Sequence, residues 1–424
     1  MILKELLEGL ELEYVNANMN MEINSIAYDS KRVGEKSLFV AIRGFHEDGH
    51  NYISEAVKNG AVCIVAEEIR ELKKDTAFIK VRDSRRALAH IASVYYKKPS
   101  KGLNIIGVTG TNGKTTTCHI IKHIIEAVGR RADMLCTLYN IVGGKKIPSS
   151  LTTPQSLELQ AYLRQSLDSG IDYVILEVSS HALSLHRLEG CSLREAAITN
   201  ITRDHMDFHK TTEAYVKAKE SIMEYVREGG TIVINADDPA SKHLDLLRKD
   251  IKLITCGIKE EAHLYAHSIE RSSGGLSFKI KMKGGTSLDI RSRLAGFHNV
   301  YNILIAVALT HSLGIDGDSI VRGVDNVEMV SGRFEKISIK EGAIAIVDYA
   351  HTDDALRRLL TEVRAMTKGR VIAVFGCGGN RDRGKRPIMG GIAVELSDLV
   401  ILTNDNPRYE EPMDIIRDIM SGIE

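Results

Sequence analysis

Residues 103–117 read LNIIGVTGTNGKTTT, an apolar run followed by a loop rich in glycine and threonine. This stretch constrains the fold more than any other, because a phosphate-binding loop must follow a buried strand and open a helix. The strict phosphate-loop pattern has glycine where this chain has Val108. Gly110 and Gly113 nevertheless allow the backbone to turn its N–H groups toward phosphate oxygens, and Lys114 supplies a positive charge. The alternative is an ordinary glycine turn before a helix.

The residues after the loop are typical of a helix that ends at Gly129. Apolar side chains recur on one helical face, at positions 120, 121, 124, 125 and 128, and glycine is a common helix stop. The hydroxyl of Thr115, in the first turn of this helix, can ligate Mg²⁺. The order of strand, glycine loop and helix therefore predicts a site for the phosphates of a nucleotide.

Composition narrows the class of protein. The chain has 424 residues, 43% of them hydrophobic, which favours two or three domains. Lys and Arg together number 56, as do Asp and Glu, so the chain lacks the excess positive charge of a general nucleic-acid binder. No run approaches about 18 consecutive apolar residues, so we expect no insertion into a membrane. Six cysteines without a CxxC pair, and an N-terminus without a signal-peptide pattern, predict free thiols in the cytoplasm.

Three regions differ in pattern and predict an α/β protein of three domains. The expected boundaries are residues 1–100, 101–329 and 330–424, with residues 99–102 as a linker. In the middle region, strand-like runs such as YVILEVSS and GTIVINADD alternate with helical patterns, and the last region repeats this with AIAIVDYAH, RVIAVFGCGG and LVILTNDNPR. Such alternation is typical of parallel sheets with crossover helices, whose ligands bind beyond the carboxyl ends of the strands.

Two polar residues that follow predicted strands are candidate metal ligands. Glu177 ends the run YVILEV, and a carboxylate in a buried strand is costly unless it pairs with a cation. The alternative is a glutamate on an edge strand that faces water. His205 occupies the corresponding position after AAITNI, although a histidine there can also be purely structural.

Lys219 has an unusual predicted environment. On a helix over residues 213–226, one apolar stripe contains Tyr215, Lys219, Ile222 and Val226. A free ammonium is expensive on such a stripe, unless the side chain reaches the rim of the helix and keeps its charge in water. Alternatively, the amine has reacted with CO₂ to give a carbamate, an anionic oxygen ligand for Mg²⁺. Burial near a metal favours the deprotonated amine that this reaction requires.

Taken together, these motifs resemble the Mur ligases, which extend the peptide of the bacterial cell-wall precursor. The resemblance includes DSKRV, GVTGTNGKTTT, LTTPQSLEL, EVSSHALSLHR, NITRDHMDFH, AYVKAKE, GFHNVYN, GRFE, DYAHTDDAL and FGCGGNRDRGKRP. It implies a UDP-substrate-binding domain, a central parallel-sheet ATPase domain with the phosphate loop, and a Rossmann-like domain that binds the amino acid. It also implies a cytoplasmic, monomeric ligase of peptidoglycan synthesis, which serves cell shape and division.

The closing DNPR motif is similar to that of family members that add meso-diaminopimelate to UDP-N-acetylmuramoyl-L-Ala-D-Glu. The implied reaction consumes ATP: its γ-phosphate activates the D-Glu carboxylate as an acyl phosphate, and the incoming amine then expels phosphate. Relatives continue for several dozen residues beyond this motif, so we expect the C-terminal domain to be incomplete. The alternatives are a truncated, catalytically weak nucleotide-binding relative and a Mur ligase that adds L-lysine.

The resemblance assigns roles residue by residue. The ATP-binding residues it implies are Gly110, Thr111, Asn112, Gly113, Lys114, Thr115, Thr116, Asn302, Arg333 and Asp348. The residues for the UDP-linked substrate are Ser30, Thr152, Thr153, Ser179 and Arg187. A first Mg²⁺ would be held by Thr115 and Glu177, and a second by His205 and Lys219, the last as its CO₂ carbamate. The implied catalytic residues are Lys114, His205 and Lys219. The residues for the amino acid are Arg381, Asp405, Asn406, Pro407 and Arg408.

The DNPR motif also has a direct chemical interpretation. Meso-diaminopimelate differs from lysine by one carboxylate beside its far amine, which Arg408, helped by Arg381, can bind through two hydrogen bonds. Asp405 and Asn406 can accept hydrogen bonds from the ammonium. Lysine would leave the guanidinium unpaired, and sites of this kind reject the wrong substrate by about 10⁴-fold. Alone, the motif could be an Asn-Pro turn after a strand. Leu185 stands where some relatives place a polar substrate contact, so the predicted site omits it.

Overall fold

The computed structural model describes residues 1–45, 47–68, 76–241, 248–259, 262–272 and 274–423. Contacts between residues group the chain into two compact units. The first unit contains residues 1–106 and 131–194, and the second contains residues 107–130 and 195–424. The domain boundaries expected after residues 100 and 329 stay a prediction. Among the described residues, no helix is both long and apolar enough to cross a membrane.

The N-terminal region forms a small, mostly parallel sheet covered by helices. Its elements are α1 (Leu3–Leu6), β1 (Tyr14–Asn16), β2 (Ser25–Ala27), β3 (Ser37–Val40), α2 (Ile53–Lys58), β4 (Ala61–Ala66), β5 (Ala77–Lys80) and α3 (Ser84–Tyr95). The strand order is β1-β5-β4-β3-β2, with β1 antiparallel to β5 and the other pairs parallel. Helix α3 begins after Asp83, whose carboxylate accepts hydrogen bonds from the N–H groups of Arg85 and Arg86. Leu88 and Ile91 on this helix are buried in the core of the sheet.

The phosphate-loop region begins with β6 (Asn104–Thr109) and α4 (Lys114–Ala127), so the predicted strand and helix are confirmed. Gly129, just beyond α4, has a φ of 72°, as the predicted glycine stop requires. Strand β6 starts in the first unit and ends in the second. The first unit continues with β7 (Ala132–Leu135), β8 (Tyr139–Val142), β9 (Lys145–Pro148), α5 (Ser156–Asp168), β10 (Tyr173–Glu177) and α6 (Ser180–Ser184). Strands β7 and β10 are parallel, whereas β7, β8 and β9 pair antiparallel.

The second unit carries the larger part of the central sheet. Its elements up to residue 325 are β11 (Leu193–Ile198), α7 (Met206–His209), α8 (Thr212–Glu220), β12 (Val226–Asn235), β13 (Lys252–Gly257), β14 (Leu264–Ser272), β15 (Gly275–Met282), β16 (Ser287–Ser292), α9 (His298–Ser312) and α10 (Gly317–Asp325). The order is β16-β15-β14-β13-β12-β11-β6. Strands β12 to β14 are parallel, and β15 and β16 add an antiparallel edge. Helices α9 and α10 pack against α4. This packing fixes the position of α4 and therefore of the end of the phosphate loop, where α4 begins.

The single helix expected over residues 213–226 is wrong in its second half. Helix α8 ends at Glu220, a 3₁₀ turn follows over Ser221–Tyr225, and β12 begins at once. The hydroxyl of Ser221 donates to the carbonyl of Ala218 at 2.8 Å, a local bond that competes with continuation of the helix. Tyr215 and Lys219 still lie one turn apart on α8, and both are buried.

The C-terminal region forms two small sheets with helices. Its elements are β17 (Glu335–Ser338), β18 (Ile344–Val347), α11 (Asp353–Met366), β19 (Ile372–Phe375), α12 (Lys385–Leu396), β20 (Leu399–Leu402) and α13 (Pro412–Met420). Strands β19 and β20 are parallel, as the predicted α/β pattern requires. The prediction is wrong for β18, which pairs antiparallel with β17 in a separate sheet. Helix α13 is anchored by buried Ile415 and Ile419, whereas Met420 is 48% exposed.

Candidate functional site

The phosphate loop, residues 110–113, rests on the segment that follows β11. Gly110 has a φ of 143°, and a Cβ there would collide with the hydroxyl of Thr199. Thr199 Oγ1 donates to the carbonyl of Asn112 at 2.6 Å, and its N–H donates to the carbonyl of Thr109 at 2.9 Å. Only glycine therefore allows the loop to approach this closely.

Asn200 adds a second support for the loop. Its Oδ1 accepts from the N–H of Asn112 and its Nδ2 donates to the carbonyl of Asn112, both at 3.0 Å, so one amide holds both backbone groups of a loop residue. The carbonyl of Asn200 accepts from the N–H of Thr111 at 2.8 Å. The hydroxyl of Thr111 contacts the carbonyl of Thr202 at 3.1 Å and the hydroxyl of Tyr215 at 2.9 Å. The sequence contains these residues within quoted motifs, but only the fold reveals that they brace the loop.

The first turn of α4 carries the predicted phosphate and metal contacts. Lys114 Nζ donates to the carbonyls of the first two loop residues at 3.0 and 2.8 Å, so its ammonium lies at the loop. Thr115 Oγ1 accepts from Arg333 Nη2 at 3.0 Å, and Thr116 is buried in the same turn. The structure thus brings Arg333, predicted to bind nucleotide, from the C-terminal region to the start of α4.

Asn302 and Asp348, also predicted to bind nucleotide, lie in the same unit. Asn302 is buried on α9, and a Cβ at Gly113, whose φ is 86°, would collide with its Oδ1. Asn302 Nδ2 donates to Asn299 Oδ1 at 2.8 Å. Asp348 accepts from the N–H of Phe334 at 2.7 Å. Asn302 therefore lies beside the loop, and Asp348 is held to the backbone just after the predicted nucleotide-binding arginine.

Lys219 is buried beside the phosphate loop, with 2% of its surface exposed. The interpretation that its ammonium reaches water at the rim of the helix is therefore wrong. Its Nζ donates to the carbonyl of Gly110 at 2.7 Å and lies 4.6 Å from the centre of the Tyr215 ring. Burial, followed by the positive charge of Lys114, holds the pKa of Lys219 well below its usual value. The amine is thereby shifted toward the neutral, nucleophilic form that carbamate formation requires.

His205 borders the same tyrosine as Lys219. Its ring centre is 6.5 Å from that of Tyr215, and its backbone has a left-handed φ of 53°. Its Nε2 is 3.3 Å from Asp204 Oδ2, and Nε2 of His351, from the C-terminal region, is 3.7 Å from the same oxygen. Burial alone would raise the pKa of Asp204, but the nearby imidazoles of His351 and His205 hold it below its usual range.

Glu177, in the first unit, ends β10 and is 1% exposed. Because β10 lies between β6 and β7, the interpretation of Glu177 as an exposed edge-strand residue is wrong. The N–H and hydroxyl of Thr137 donate to the two carboxylate oxygens of Glu177 at 3.0 Å each. The same hydroxyl lies 3.1 Å from Thr152 Oγ1. The predicted residues Glu177 and Thr152 are thus brought together at the carboxyl end of β10.

Thr153, Ser179 and Arg187 join the same cluster. Thr153 Oγ1 donates to the carbonyl of Glu177 at 2.8 Å and accepts from the N–H of Ser179 at 3.0 Å. Arg187 Nη1 donates to the carbonyl of Thr153 at 2.8 Å. Burial, followed by the charge of Arg85, lowers the pKa of Arg187 to about 10. The buried guanidinium therefore remains a cation at neutral pH.

Ser30 and Arg187 both line a cavity of about 560 Å³ in the first unit, a size typical of small-molecule sites. Arg85 also lines it, and its guanidinium lies 5.7 Å from the centre of the Phe45 ring. Leu185, omitted from the predicted site, is part of the lining as well. The remaining aromatic side chains in the lining are those of Tyr28, Phe39 and Tyr52. The cavity thus combines stacking surfaces with two guanidinium groups, a combination suited to a nucleotide with phosphates.

The residues predicted to bind the amino acid lie on two loops that follow β19 and β20. The N–H of Gly379 donates to the carbonyl of Asn406 at 2.9 Å, and Arg408 Nη1 donates to the carbonyl of Gly379 at 2.8 Å. A Cβ at Gly379 would collide with the carbonyl of Pro407. Arg408 has a left-handed φ of 51°. The two loops are therefore joined along their backbones, with three of the predicted residues at the junction.

Arg381 and Asp405 occupy the same two loops. Asp405 Oδ2 lies 3.7 Å from the position of a Cβ at Gly378. Arg381 Nη1 is 3.7 Å from Asp207 Oδ2 on α7, two residues beyond His205. The predicted amino-acid site and the His205 segment are thus linked by an ion pair within the second unit.

The predicted metal ligands suit Mg²⁺ by chemistry, since Thr115 and Glu177 offer the oxygen atoms that this ion prefers. An ammonium cannot bind a cation, so Lys219 can join the set only as its carbamate. Among the residues that the structure describes, no three His, Cys, Asp or Glu side chains cluster as they would around a metal ion. The fit of Mg²⁺ therefore depends on oxygens of the Thr115 hydroxyl, the Glu177 carboxylate, the carbamate and the substrates.

A glycine loop between a parallel strand and a helix, with a lysine and a hydroxyl in the first turn, defines a nucleotide-phosphate-binding α/β protein. Three family models match this chain: "Mur ligase family, catalytic domain" over residues 22–96, "Mur ligase middle domain" over 108–310 and "Mur ligase, glutamate ligase domain" over 332–424. The chain therefore belongs to the Mur ligase family, and the predicted resemblance and α/β fold class are confirmed.

Individual relatives agree with the family models. Proteins named UDP-N-acetylmuramoyl-L-alanyl-D-glutamate–2,6-diaminopimelate ligase are 42% identical in Clostridium perfringens and 43% identical in Clostridium tetani, each match covering 100% of this chain and 87% of the relative. A solved structure of a ligase of the same name is 31% identical, with a TM-score of 0.74, and is matched over 100% of this chain and 86% of its own. The matches include the whole of this chain and 86–87% of each relative, so the expectation of an incomplete C-terminal domain stays a prediction.

Proposed function

We propose that this protein is an ATP-dependent ligase that joins meso-diaminopimelate to UDP-N-acetylmuramoyl-L-Ala-D-Glu in peptidoglycan precursor synthesis. The observation that carries the proposal is the buried Lys219, whose Nζ lies 2.7 Å from the carbonyl of Gly110 in the phosphate loop. A protein that only binds nucleotide gains nothing from a costly buried amine at this place. The names of the relatives supply the substrates. The six cysteines, all free thiols, support a cytoplasmic location.

The proposed reaction has two chemical steps. An oxygen of the D-Glu carboxylate attacks the γ-phosphorus of ATP, so that the bond to the β-phosphate oxygen breaks and ADP leaves with that electron pair. The amine of the amino acid then attacks the acyl phosphate, loses a proton, and expels inorganic phosphate to leave an amide. The first step brings two anions together and the second expels phosphate as an anion, so charge neutralisation is the main demand on the site.

Residues of the second unit meet that demand for ATP. The N–H groups of loop 110–113 and the ammonium of Lys114 are placed to hold phosphate oxygens, because they open α4. Arg333 reaches Thr115 in the same turn and can add a second positive charge. Within this unit Thr115, His205 and carbamylated Lys219 would hold Mg²⁺, and the ion would supply further positive charge to phosphate and carboxylate oxygens. The role of Glu177, in the first unit, stays a prediction.

The carbamate has its own physical support. Carbamate formation consumes a neutral amine and CO₂ and releases one proton. Burial and Lys114 both disfavour the ammonium form of Lys219 and outweigh the opposing charge of Asp204, and a carbamate would place an anion near the ammonium of Lys114. A ¹³C spectrum of protein equilibrated with ¹³C-bicarbonate and Mg²⁺ should contain a carbamate carbonyl resonance that the Lys219→Ala variant lacks. A spectrum identical for both proteins would contradict the proposal.

The nucleotide end of the second substrate fits the first unit. Ser30, Arg85 and Arg187 line the 560 Å³ cavity, and its guanidinium groups can bind a diphosphate while its aromatic rings stack on a base. Thr152, Thr153 and Ser179 lie in the cluster that contacts Arg187 and Glu177. We assign them to the sugar and peptide part of the substrate.

The test is release of phosphate from ATP and Mg²⁺ in the presence of UDP-N-acetylmuramoyl-L-Ala-D-Glu and a panel of amino acids. We expect release that depends on meso-diaminopimelate and a product heavier by one diaminopimelate residue. Lys219→Ala should abolish release, whereas Lys217→Ala, which alters an exposed lysine of the same helix, should not. Nucleotide binding without release for any amino acid would refute the ligase function, and release with L-lysine alone would change the substrate.

A further inference from the structure

The guanidinium of Arg386 is completely buried, although no predicted function uses it. Arg386 lies in the first turn of α12, within the GKRP sequence that follows the predicted amino-acid residue Arg381. Removing a guanidinium from water is costly and requires compensation by charges and hydrogen bonds. The partners of this side chain therefore indicate what it is buried for.

Two carboxylates from the C-terminal end of the chain surround Arg386. Its Nη1 and Nη2 donate to the two oxygens of Glu410 at 2.8 Å each, a two-point pairing, and Nη1 also donates to Asp418 on α13 at 2.8 Å. The hydrogen bond from Arg386 is the main cause that lowers the pKa of Glu410 to about 2. Arg383, which is 64% exposed, pairs with Asp418 from the surface at 3.0 Å.

The same ion pair holds both loops of the predicted amino-acid site. Glu410 lies two residues after Arg408 of the DNPR sequence, and its carboxylate accepts from the N–H of Asn380 in the glycine loop. Arg386 Nη2 also contacts the carbonyl of Gly378 at 3.3 Å. Tyr409 N–H donates to Asn380 Oδ1 at 3.0 Å. Each loop is thus tied to the other through Arg386 and Glu410, in addition to the contact between Arg408 and Gly379.

We propose that Arg386 is a positioning residue that fixes the two amino-acid recognition loops in register through Glu410, and so sets the orientation of Arg408. This inference rests on the proposed function. An apolar replacement of a buried ion pair is often neutral or stabilising, so stability alone gives no reason for this arrangement. Selectivity for a dicarboxylic amino acid would explain the buried ion pair. A guanidinium must be placed within a fraction of an ångström to bind a carboxylate at two points.

The decisive variants are Arg386→Lys, which keeps the charge but loses the planar fork, and Glu410→Gln, which alters the partially exposed partner. Both should raise the KM for meso-diaminopimelate by about 10- to 100-fold, by analogy with the losses seen when the outer partners of metal ligands are changed. The KM values for ATP and for the UDP-linked substrate should stay within about twofold. The ratio of kcat/KM for meso-diaminopimelate over L-lysine should fall in both variants. Arg383→Gln, which removes the exposed partner of Asp418, is the matched control and should leave all four quantities unchanged.

A second measurement separates this inference from the ligase function itself. Hydrogen exchange of the Gly379 and Asn380 amides, both bonded across the two loops, should be slower in the unaltered protein than in Glu410→Gln. If the unaltered protein forms no amide with any amino acid, the proposed function fails, and the exchange rates still decide the inference. Unchanged exchange, or an unchanged KM for meso-diaminopimelate in folded Arg386→Lys and Glu410→Gln, would overturn it.

Discussion

Replacing Lys219 by methionine should stabilise the ligand-free protein while it destroys ligation. The lysine is 2% exposed and donates to a carbonyl, that of Gly110, rather than to a carboxylate. Methionine has a similar length and no charge, so it can fill the same space. The carbonyl of Gly110 keeps a hydrogen-bond partner in the variant, because Lys114 Nζ also donates to it, at 3.0 Å.

The size of the stabilisation is bounded by the chemistry of the amine. A lysine with an ordinary pKa near 10.4 can be deprotonated at pH 7 for about 1.4 kcal/mol per pH unit, or roughly 5 kcal/mol in total. The folded chain can bury the neutral amine instead of the ammonium. The cost of deprotonation is therefore the largest free energy by which the charge of Lys219 can destabilise the fold. The lost hydrogen bond costs about 1 kcal/mol. We therefore expect Lys219→Met to raise the free energy of unfolding by about 1–4 kcal/mol at pH 7.

The pH dependence gives the sharper test. Because burial lowers the pKa of Lys219, the unfolded chain binds more protons than the folded chain between the two pKa values, and stability rises with pH in that window. The advantage of the methionine variant should therefore shrink from pH 7 to pH 9, by at most about 1.4 kcal/mol per unit.

Urea unfolding followed by circular dichroism suits the measurement, since the chain has no tryptophan. Carbonate-free buffers prevent carbamate formation, and Lys217→Met is the control on the exposed side of the same helix. A destabilised Lys219→Met protein, or a stability difference that is equal at pH 7 and pH 9, would refute the reasoning.

Three further substitutions test other parts of the site. Gly110→Ala forces a Cβ against the Thr199 hydroxyl at a φ of 143°. It should weaken ATP binding at least about tenfold in a fluorescent-nucleotide titration. An unchanged affinity for ATP would show that the loop can move away from Thr199. Arg408→Lys should lose most of an expected discrimination of about 10⁴-fold between meso-diaminopimelate and lysine, measured as the ratio of their kcat/KM values. The same ratio in the variant and the unaltered protein would exclude Arg408 from recognition. Arg187→Met should raise the KM for the UDP-linked substrate about tenfold or more while the KM for ATP stays constant; a shift in both would indicate general disruption.

Much of the local structure follows from short-range sequence signals. The strand β6, the glycine loop and helix α4 were all predictable, because a phosphate site demands glycines where the backbone has a positive φ and a lysine where a helix opens. Gly110 and Gly113 have such φ values, and Gly129 ends the helix as expected. The family could also be predicted, since its motifs are dense along the whole chain.

The environments of the reactive side chains depended on contacts between distant parts of the chain. Periodicity suggested a long helix around Lys219, but α8 ends at Glu220, and the burial of the amine comes from a loop 109 residues away. Arg333 reaches Thr115 across 218 residues. The Arg386 network left no local pattern that would distinguish it from an exposed basic turn.

The sequence by itself therefore determined the phosphate loop, the alternation of strands and helices, and the family. The tertiary structure decided which charges are buried and which loops are held together. The physical reason is range: backbone conformation responds to residues a few positions apart, whereas desolvation and charge pairing depend on groups that meet only after the chain has folded.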